Sequence, residues 1–290
     1  PLAGGLIIYL NILIYWIILN FSDILINQET IFENIKSFNI FMLVASSVFL
    51  LGFLDDKYNI KANTKFYILI ILIFILLLLD RGLIIDNIKF SFYQKNIFLN
   101  NYDIFFSIFC FLVFLNAFNM FDGINLQSST YSILIFFCIL FFFLNSLIIS
   151  LLIISLIGFS YINFKNKSFL GDSGSLLLAF VISYFFIKLY NLDYIKYADQ
   201  IVIYMLIPGL DLIRLFIIRI LKKRNPLSPD RLHLHHILIK KFSLSITLSI
   251  IIFLIIFPII LDYSNLNNIF TLIITSLLYF VVVGITYQKK

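Results

Sequence analysis

The feature that most constrains this chain is a succession of apolar segments, each about as long as a membrane span, running through nearly all of its 290 residues. Only 12% of the residues are charged and 62% are hydrophobic, so a soluble domain of this composition would lack a polar surface. Crossing a hydrocarbon core about 30 Å thick takes roughly 17 to 25 apolar residues per helix. We therefore predict an all-α polytopic integral membrane protein and exclude a soluble globular class.

The hydropathy pattern predicts about ten transmembrane helices in one domain that covers residues 1–290. The predicted spans are 6–21, 38–54, 66–79, 104–121, 130–145, 147–163, 174–190, 200–220, 243–261 and 269–286. Residues 80–102, between the third and fourth spans, contain alternating apolar positions and are predicted to form a short hairpin. Cys110 and Cys138 lie inside apolar runs and are interpreted as buried side chains, not as a disulfide framework or metal site.

Lysine and arginine are distributed unevenly between the two sides of the predicted bundle. Fifteen of the 21 basic residues fall on one side, which the positive-inside rule places in the cytoplasm. They are Lys57, Lys61, Lys65, Lys165, Lys167, Arg214, Arg219, Lys222, Lys223, Arg224, Arg231, Lys240, Lys241, Lys289 and Lys290. Asn145 and Ser146 are then predicted to form a tight turn on the other side.

Polar clusters that interrupt the apolar runs are all predicted to lie on this cytoplasmic side. Ionisable groups at membrane depth are costly and usually functional, so clusters converging on one face predict a single active site. The clusters are Pro1–Gly5, Asp55–Lys65, Asn116–Ser129, Gly171–Ser175, Asp211 with Arg214, and Ser228–His236.

Two of these clusters combine acids and amides suited to a cation. Asp55 and Asp56 are adjacent carboxylates, whose repulsion falls when they share a divalent cation or a phosphate-bound proton; a solvated helix end is the alternative. If the fourth span stays helical to Asp122, then Asn116, Asn119 and Asp122 share roughly one face. Their oxygen atoms suit Mg²⁺, although asparagines also form hydrogen bonds between membrane helices.

Two further clusters contain features that suit an anion. Gly171–Ser175 opens the seventh span, where backbone amides face an anion and Asp172 is able to hold a cation beside it; a plain helix cap is the alternative. The stretch Ser228–His236 contains all three histidines of the chain, and arginine and histidine side chains there suit phosphate oxygens. The neighbouring Lys222–Arg224 is explained equally well as a signal that only sets membrane topology.

Taken in this order, the clusters resemble the polyprenyl-phosphate N-acetylhexosamine-1-phosphate transferases of glycosyltransferase family 4, over nearly the whole chain. Pro1–Gly5 is similar to the family's Pro-x-x-Gly-Gly segment, and Asp55–Lys65 is similar to its aspartate pair and distal lysine. Asn116–Asn125 resembles its Asn-x-x-Asn-x-x-Asp-Gly-Ile-Asp stretch, and Phe169–Ser175 resembles its Gly-Asp-x-Gly-Ser loop. Ser228–His236 resembles the Ser-Pro-Asp-Arg-x-His-x-His-His form found in the undecaprenyl-phosphate N-acetylglucosamine-1-phosphate transferase subgroup.

The resemblance implies transfer of an acetamido-sugar 1-phosphate from a UDP-sugar to a polyprenyl phosphate such as undecaprenyl phosphate, with release of UMP. It implies a multi-pass enzyme of a bacterial inner membrane that begins cell-surface polysaccharides such as O-antigen, depends on Mg²⁺ with Mn²⁺ as the alternative, and binds no nucleic acid. Whether the chain forms a homodimer, and whether transfer is direct or covalent, stays open. The implied roles are metal binding by Asn119 and Asp172, catalysis by Asp55, Asp56 and Asp122, and substrate binding by Lys65, Asn125, Arg231, His233, His235 and His236.

Two departures from the family pattern bear on this expectation. The family's usual second aspartate is Asn125 here, followed by Leu126 where glycine is usual, which is expected to alter nucleotide or sugar preference. The chain also begins at the Pro-x-x-Gly-Gly segment, so a preceding first helix is expected in a full-length protein of eleven spans. The alternatives are a peptidoglycan-type phospho-MurNAc-pentapeptide transferase, an inactive relative, and a transporter, which would need polar groups at mid-membrane and on both sides.

Overall fold

The computed structural model describes residues 2–20, 31–32, 34–142, 146–225, 231–264 and 266–287. Pro1, Asn145, Ser228–Asp230, Lys289 and Lys290, which enter the predictions above, lie outside these residues. The described helices are α1 (Gly4–Asn20), α2 (Ile35–Tyr58), α3 (Ala62–Leu79), α4 (Asp103–Phe121), α5 (Gln127–Phe142), α6 (Leu147–Phe164), α7 (Gly171–Asn191), α8 (Ala198–Tyr204), α9 (Leu206–Leu221), α10 (Leu234–Ile239), α11 (Leu244–Tyr263) and α12 (Asn268–Tyr287).

Each of the ten predicted segments contains a helix, which confirms the all-α polytopic class. Seven of the described helices are long and apolar enough to cross a membrane, and α8 with α9 make an eighth if this bent pair is one span. Helices α1 and α5 are apolar but shorter, with 17 and 16 residues. The exact number of spans therefore stays a prediction.

The predicted span 200–220 is not a single straight helix, because the helix breaks at Met205 and bends by 82°. Pro208 lacks a backbone N–H, and its ring crowds the carbonyl of the residue four positions earlier, Tyr204. Within α9, Pro208 lies in the first turn, where no N–H donor is needed. The carbonyl oxygen of Tyr204 instead accepts a hydrogen bond from the Tyr131 hydroxyl at 3.0 Å, so the break leaves this group satisfied.

Helix α7 forms the centre of the bundle. Its residues from Ser173 to Tyr190 are all buried, and it packs chiefly against α2, α4 and α1. It is the least apolar of the seven long helices and the most completely buried, whereas more apolar outer helices such as α12 expose large side chains, including Phe270 and Leu277. The first turn of α7 is therefore held inside a ring of helix ends.

The two ends of the bundle differ in structure. At one end, which we call the polar end, α2 ends, α3 and α7 begin, and the amide N–H groups of Gly4 and Gly5 donate to the carbonyls of Phe169 and Leu170. At the other end, residues 80–102 form the predicted hairpin, with strands β1 (Asn87–Phe90) and β2 (Tyr93–Phe98) paired antiparallel.

Buried polar groups also occur at the hairpin end, so the prediction that every polar cluster lies on one side is wrong. Lys188, in the last turn of α7, is buried with its Nζ 3.9 Å from Asp80 Oδ1. Asp199 is buried as well and accepts a hydrogen bond from the Ser91 amide at 2.9 Å. Each acid meets its partner from a sequence-distant element, so these contacts fasten the hairpin to α7 and α8.

Candidate active site

Lys65 lies between two carboxylates at the polar end. Helix α2 ends at Tyr58, and the left-handed backbone of its C-cap Asn59 (φ 52°) reverses the chain so that α3 runs back beside α2. The Nζ of Lys65 is 2.5 Å from Asp55 Oδ2 and 3.0 Å from Asp172 Oδ2. The side chain of Asp55 is 6% exposed and that of Asp172 is 36% exposed, so one carboxylate is enclosed and the other faces the solvent.

Asp56 caps the central helix. Its Oδ1 accepts the amide of Asp172 at 2.7 Å, and its Oδ2 accepts the amide and hydroxyl of Ser173 at 3.1 Å and 2.8 Å. Gly171 has φ +73°, and a Cβ there would lie 2.7 Å from Asp56 Oδ2, so glycine is required on two grounds. The anion predicted to lie at this helix start is therefore the carboxylate of Asp56, a side chain of the protein itself.

Asn119 lies beside the same helix start. Its Oδ1 accepts a hydrogen bond from the Ser175 hydroxyl at 2.5 Å, one turn along α7 from Asp172. Asn116, in contrast, donates to the carbonyl of Leu112 in its own helix at 2.7 Å. Of the two asparagines in α4, only Asn119 thus directs its oxygen toward the acidic cluster.

The donor set here fits a hard cation. Within the described residues, no three histidine, cysteine, aspartate or glutamate side chains converge as a ready-made metal cage. Mg²⁺ in phosphate-handling sites takes one or two carboxylates and completes its shell with water and phosphate oxygens. Asp172 offers a carboxylate that lines the cavity, and Asn119 offers an amide oxygen beside the same helix start, which together match that requirement.

Asp122 lines the cavity next to this cluster. Helix α4 ends at Phe121, and Asp122 is its C-cap. The helix therefore stops one residue short of Asp122, the last residue of the predicted polar face. The cavity has a volume of about 310 Å³ and is lined by polar groups and by apolar side chains such as Phe159 and Phe169. Loss of hydration around the carboxyl group, together with the charge of Asp172, raises the pKa of Asp122 to about 7.

Asn125 belongs to a group of three asparagines on the rim of this cavity. Its Nδ2 donates to Asn166 Oδ1 at 2.5 Å, and its Oδ1 accepts from Asn163 Nδ2 at 3.3 Å. Asn163 also accepts the amide of Leu126 at 2.7 Å and donates to the carbonyl of Ser168 at 2.7 Å. An aspartate at position 125 could not donate to Asn166, so the local structure fits the asparagine found in this chain.

The histidines are held by a buried network centred on Asp211. The Oδ1 of Asp211 accepts from Arg214 Nη2 and from the Tyr279 hydroxyl, both at 2.7 Å, and its Oδ2 lies 2.9 Å from His233 Nδ1. The amide of Leu234 donates to the same carboxylate at 3.2 Å. Asp211, paired with Arg214, thus holds the histidine segment in position.

The three imidazoles differ in their surroundings. His233 and His235 are buried and stack at 5.6 Å between ring centroids, whereas His236 is partly exposed, with its ring 4.2 Å from that of His235. Arg231, just before them, is exposed. The structure thus brings His233 and His235 into the packed interior and leaves His236 and Arg231 accessible.

Tyr279 provides a test of the Asp211 network. It is fully buried, and besides donating to Asp211 its hydroxyl accepts from Arg214 Nε at 2.9 Å. We expect Tyr279→Phe to destabilise the protein by about 1–3 kcal/mol, because a buried donor and acceptor lose their partner. Thermal unfolding in detergent would measure this, with Tyr161→Phe, an exposed tyrosine, as the control; equal unfolding temperatures for both variants would contradict it.

Sequence reasoning missed several residues of the site. Tyr279 is one tyrosine among 16 and lies in an apolar span, so no local signal distinguished it. Asn163 is the last residue of the sixth predicted span, and Asn166 follows it between Lys165 and Lys167. Only the two lysines of this stretch entered the prediction, as a topology signal. The helix-capping role of Asp56 was also not predicted.

Comparisons with known proteins identify the family of the chain. The profile of the family described as "Glycosyl transferase family 4" matches residues 38–190, which is more than half of the chain. Proteins named "Undecaprenyl-phosphate alpha-N-acetylglucosaminyl 1-phosphate transferase" are similar to it: that of Yersinia pestis is 23% identical over 83% of this chain, that of Escherichia coli O157:H7 is 22% identical over 83%, and that of Thermotoga maritima is 28% identical over 87%. The chain spans 66%, 65% and 72% of the lengths of these relatives. On the evidence of the profile match, the chain belongs to glycosyl transferase family 4.

Proposed function

We propose that the protein transfers N-acetylglucosamine 1-phosphate, or a related acetamido-sugar 1-phosphate, from a UDP-sugar to undecaprenyl phosphate. An oxygen of the lipid phosphate bonds to the sugar-linked phosphorus. The bond from that phosphorus to the bridging oxygen of UDP breaks, and UMP leaves with that oxygen. The observation that carries the proposal is the convergence of Asp55, Lys65 and Asp172 beside the cavity at the polar end, because phosphoryl transfer depends mainly on positioning and charge neutralisation.

Some residues of the site face the reacting phosphates, and others hold those residues in place. Lys65 neutralises charge between Asp55 and Asp172, and Asp55 accepts a proton from, or orients, the attacking phosphate. Asn125 faces the nucleotide from the cavity rim, while Arg231 and His236 supply cationic or hydrogen-bonding groups for phosphate oxygens.

Magnesium fits this arrangement. Asp172 and Asn119 would hold it, and the bound ion would supply charge neutralisation at the diphosphate. The chain's own residues fix those two ligands, since Asp56 holds the amide of Asp172 and Ser175 donates to Asn119. The same two ligands also suit Mn²⁺, because Mn²⁺ also prefers oxygen ligands.

The proposed function is tested by UMP release. Purified full-length protein in detergent, given undecaprenyl phosphate, Mg²⁺ and one of several UDP-acetamido sugars, is expected to release UMP with at least one donor. Asp172→Ala is expected to abolish release, because it removes a proposed metal ligand. No release with any donor, from protein that unfolds cooperatively, would contradict the proposal.

The two adjacent aspartates are proposed to have different roles. Asp56→Asn keeps one oxygen acceptor for the start of α7 but turns the other into an NH2 donor that faces a backbone N–H, so we expect a lower unfolding temperature with UMP release within about tenfold of the wild type. Asp55→Asn removes the group placed to act as base and is expected to lower release by about 10²- to 10⁴-fold. Equal losses in both variants, at unchanged thermal stability, would contradict this division.

We also propose that the polar end faces the cytoplasm of a bacterial inner membrane. The excess of lysine and arginine on that side supports this orientation. A cysteine in place of Lys95, in the hairpin, is expected to react with a membrane-impermeant maleimide in intact cells, whereas one in place of Lys61 should react only after permeabilisation. The reverse pattern would contradict the proposed orientation.

A further inference from the structure

The ring of His235 lies directly against Gly123. His235 is 2% exposed, and its Nε2 has no hydrogen-bond partner within the described part of the chain. A Cβ added at Gly123 would lie 1.8 Å from His235 Nε2 and 2.2 Å from Cε1, and the three nearest atoms all belong to this ring. The edge of the imidazole therefore contacts the bare Cα of the glycine.

Gly123 belongs to a short loop, residues 122–126, that carries two of the cavity-lining side chains, Asp122 and Asn125. At the far end of this loop, the amide of Leu126 donates to Asn163 Oδ1 at 2.7 Å. The loop is thus fixed from outside at both ends: Asn163 and Asn166 hold Leu126 and Asn125 near its end, and the His235 ring contacts it near its start.

His235 is itself held in place from behind. The amide of the preceding residue, Leu234, and the ring of His233 are both bonded to Asp211. The His235 ring is parallel to that of His233, with an angle of 2° between the planes. The ring therefore has little freedom to withdraw from Gly123.

We infer that His235 is a positioning residue, whose buried ring fixes loop 122–126 through its contact with Gly123 and does not itself bind phosphate. This inference rests on the proposed function for the reaction in which the loop takes part. It narrows the expectation that all three histidines contact phosphates, leaving the partly exposed His236 for that role. Burial, together with the neighbouring His236 and His233, lowers the pKa of His235 to about 3, so its ring is neutral at physiological pH and offers no charge to an anion.

A double-mutant cycle tests the contact. Gly171 is the only described glycine with a positive φ, so the backbone conformation at position 123 is open to alanine. The loss of activity expected for Gly123→Ala therefore comes from the clash of its Cβ with the His235 ring. Gly123→Ala alone is expected to lower UMP release by about 100-fold, the effect of a displacement of roughly 1 Å. In a His235→Ala background, the same change should cause no further loss, because the ring is gone. Gly158→Ala, where a Cβ meets nothing within 4 Å, is the control and should have no effect in either background.

The kinetic constants distinguish positioning from a general loss of structure. Because the loop carries Asn125, Gly123→Ala and His235→Ala are expected to raise KM for the UDP-sugar and leave KM for undecaprenyl phosphate unchanged. His236→Ala should lower UMP release independently of the residue at position 123. Equal factors for Gly123→Ala in the two backgrounds would overturn the inference.

A second measurement separates this inference from the proposed function. The same cycle is measured as thermal unfolding temperatures, which need no substrate, and Gly123→Ala is expected to lower the temperature only where His235 is present. Coupled unfolding temperatures in a protein that releases no UMP would reject the function and support the contact. Active wild-type protein with additive effects in both measurements would reject the contact and leave the function standing.

Discussion

Replacing Lys65 with methionine is expected to lower UMP release by about 10²- to 10³-fold, the usual cost of removing one preorganised electrostatic group. Methionine has a similar length and packs readily in irregular space, so the main change is loss of the charge. Asp55 and Asp172, which each lie within 3.0 Å of Lys65 Nζ, would then repel one another. Lys61→Met, at an exposed lysine just before α3, is the matched control and should retain wild-type release.

A loss of activity in Lys65→Met could also reflect poor folding, so a second variant is needed. Adding Asp55→Asn to Lys65→Met removes one of the two facing charges. We expect the double variant to regain thermal stability relative to Lys65→Met without regaining UMP release. Release by Lys65→Met within a few-fold of the wild type would contradict the role of Lys65.

Replacing Asp211 with asparagine is expected to cause the largest loss of stability, about 3–5 kcal/mol, because it leaves a buried cation without its partner. Arg214 is 7% exposed and Asp211 is 3% exposed, so water cannot replace the lost charge. Asparagine has nearly the same shape, but its amide group brings a donor toward the donors of Arg214 and Tyr279. The histidine segment should also lose its attachment, and UMP release should fall with it.

Thermal or denaturant unfolding in detergent would measure the change for Asp211→Asn. Asp193→Asn is the matched control, since Asp193 pairs with Lys89 at the exposed hairpin end and exposed ion pairs contribute little. If both variants unfold at the same temperature, Asp211 does not hold the network together. If Asp211→Asn is destabilised but fully active, the histidine segment does not depend on that network.

The broken helix shows where prediction from sequence met its limit in the fold. The hydropathy pattern places an apolar segment at 200–220 correctly, because transfer of apolar side chains from water depends on composition and length alone. It does not report the direction of the chain. Pro208 lies in this segment, but a proline alone does not fix the bend, which also has a tertiary partner, the Tyr131 hydroxyl that satisfies the released carbonyl of Tyr204.

The buried groups at the hairpin end show the same limit for charge. Lys188 lies in an apolar run of the sequence, and its pairing with Asp80 joins residues 108 positions apart in the chain. Long-range pairs of this kind have no periodicity and no local spacing. Sequence patterns report the side of the membrane on which a basic residue lies, and not the acid that it meets.

By itself, the sequence determined the class of the protein, the approximate positions of the ten apolar segments, and most of the acids, amides and bases at the polar end. These follow from side-chain hydrophobicity and from short motifs, which are local properties. Only the tertiary structure decided which contact each of these residues makes. Asp56 caps α7, whereas Asp55 pairs with Lys65. His235 contacts Gly123, whereas His233 is held by Asp211. The physical reason is that hydrogen bonds and ion pairs act over about 3 Å, so which of two neighbouring, chemically identical residues makes a contact depends on the direction of its side chain within the packed bundle.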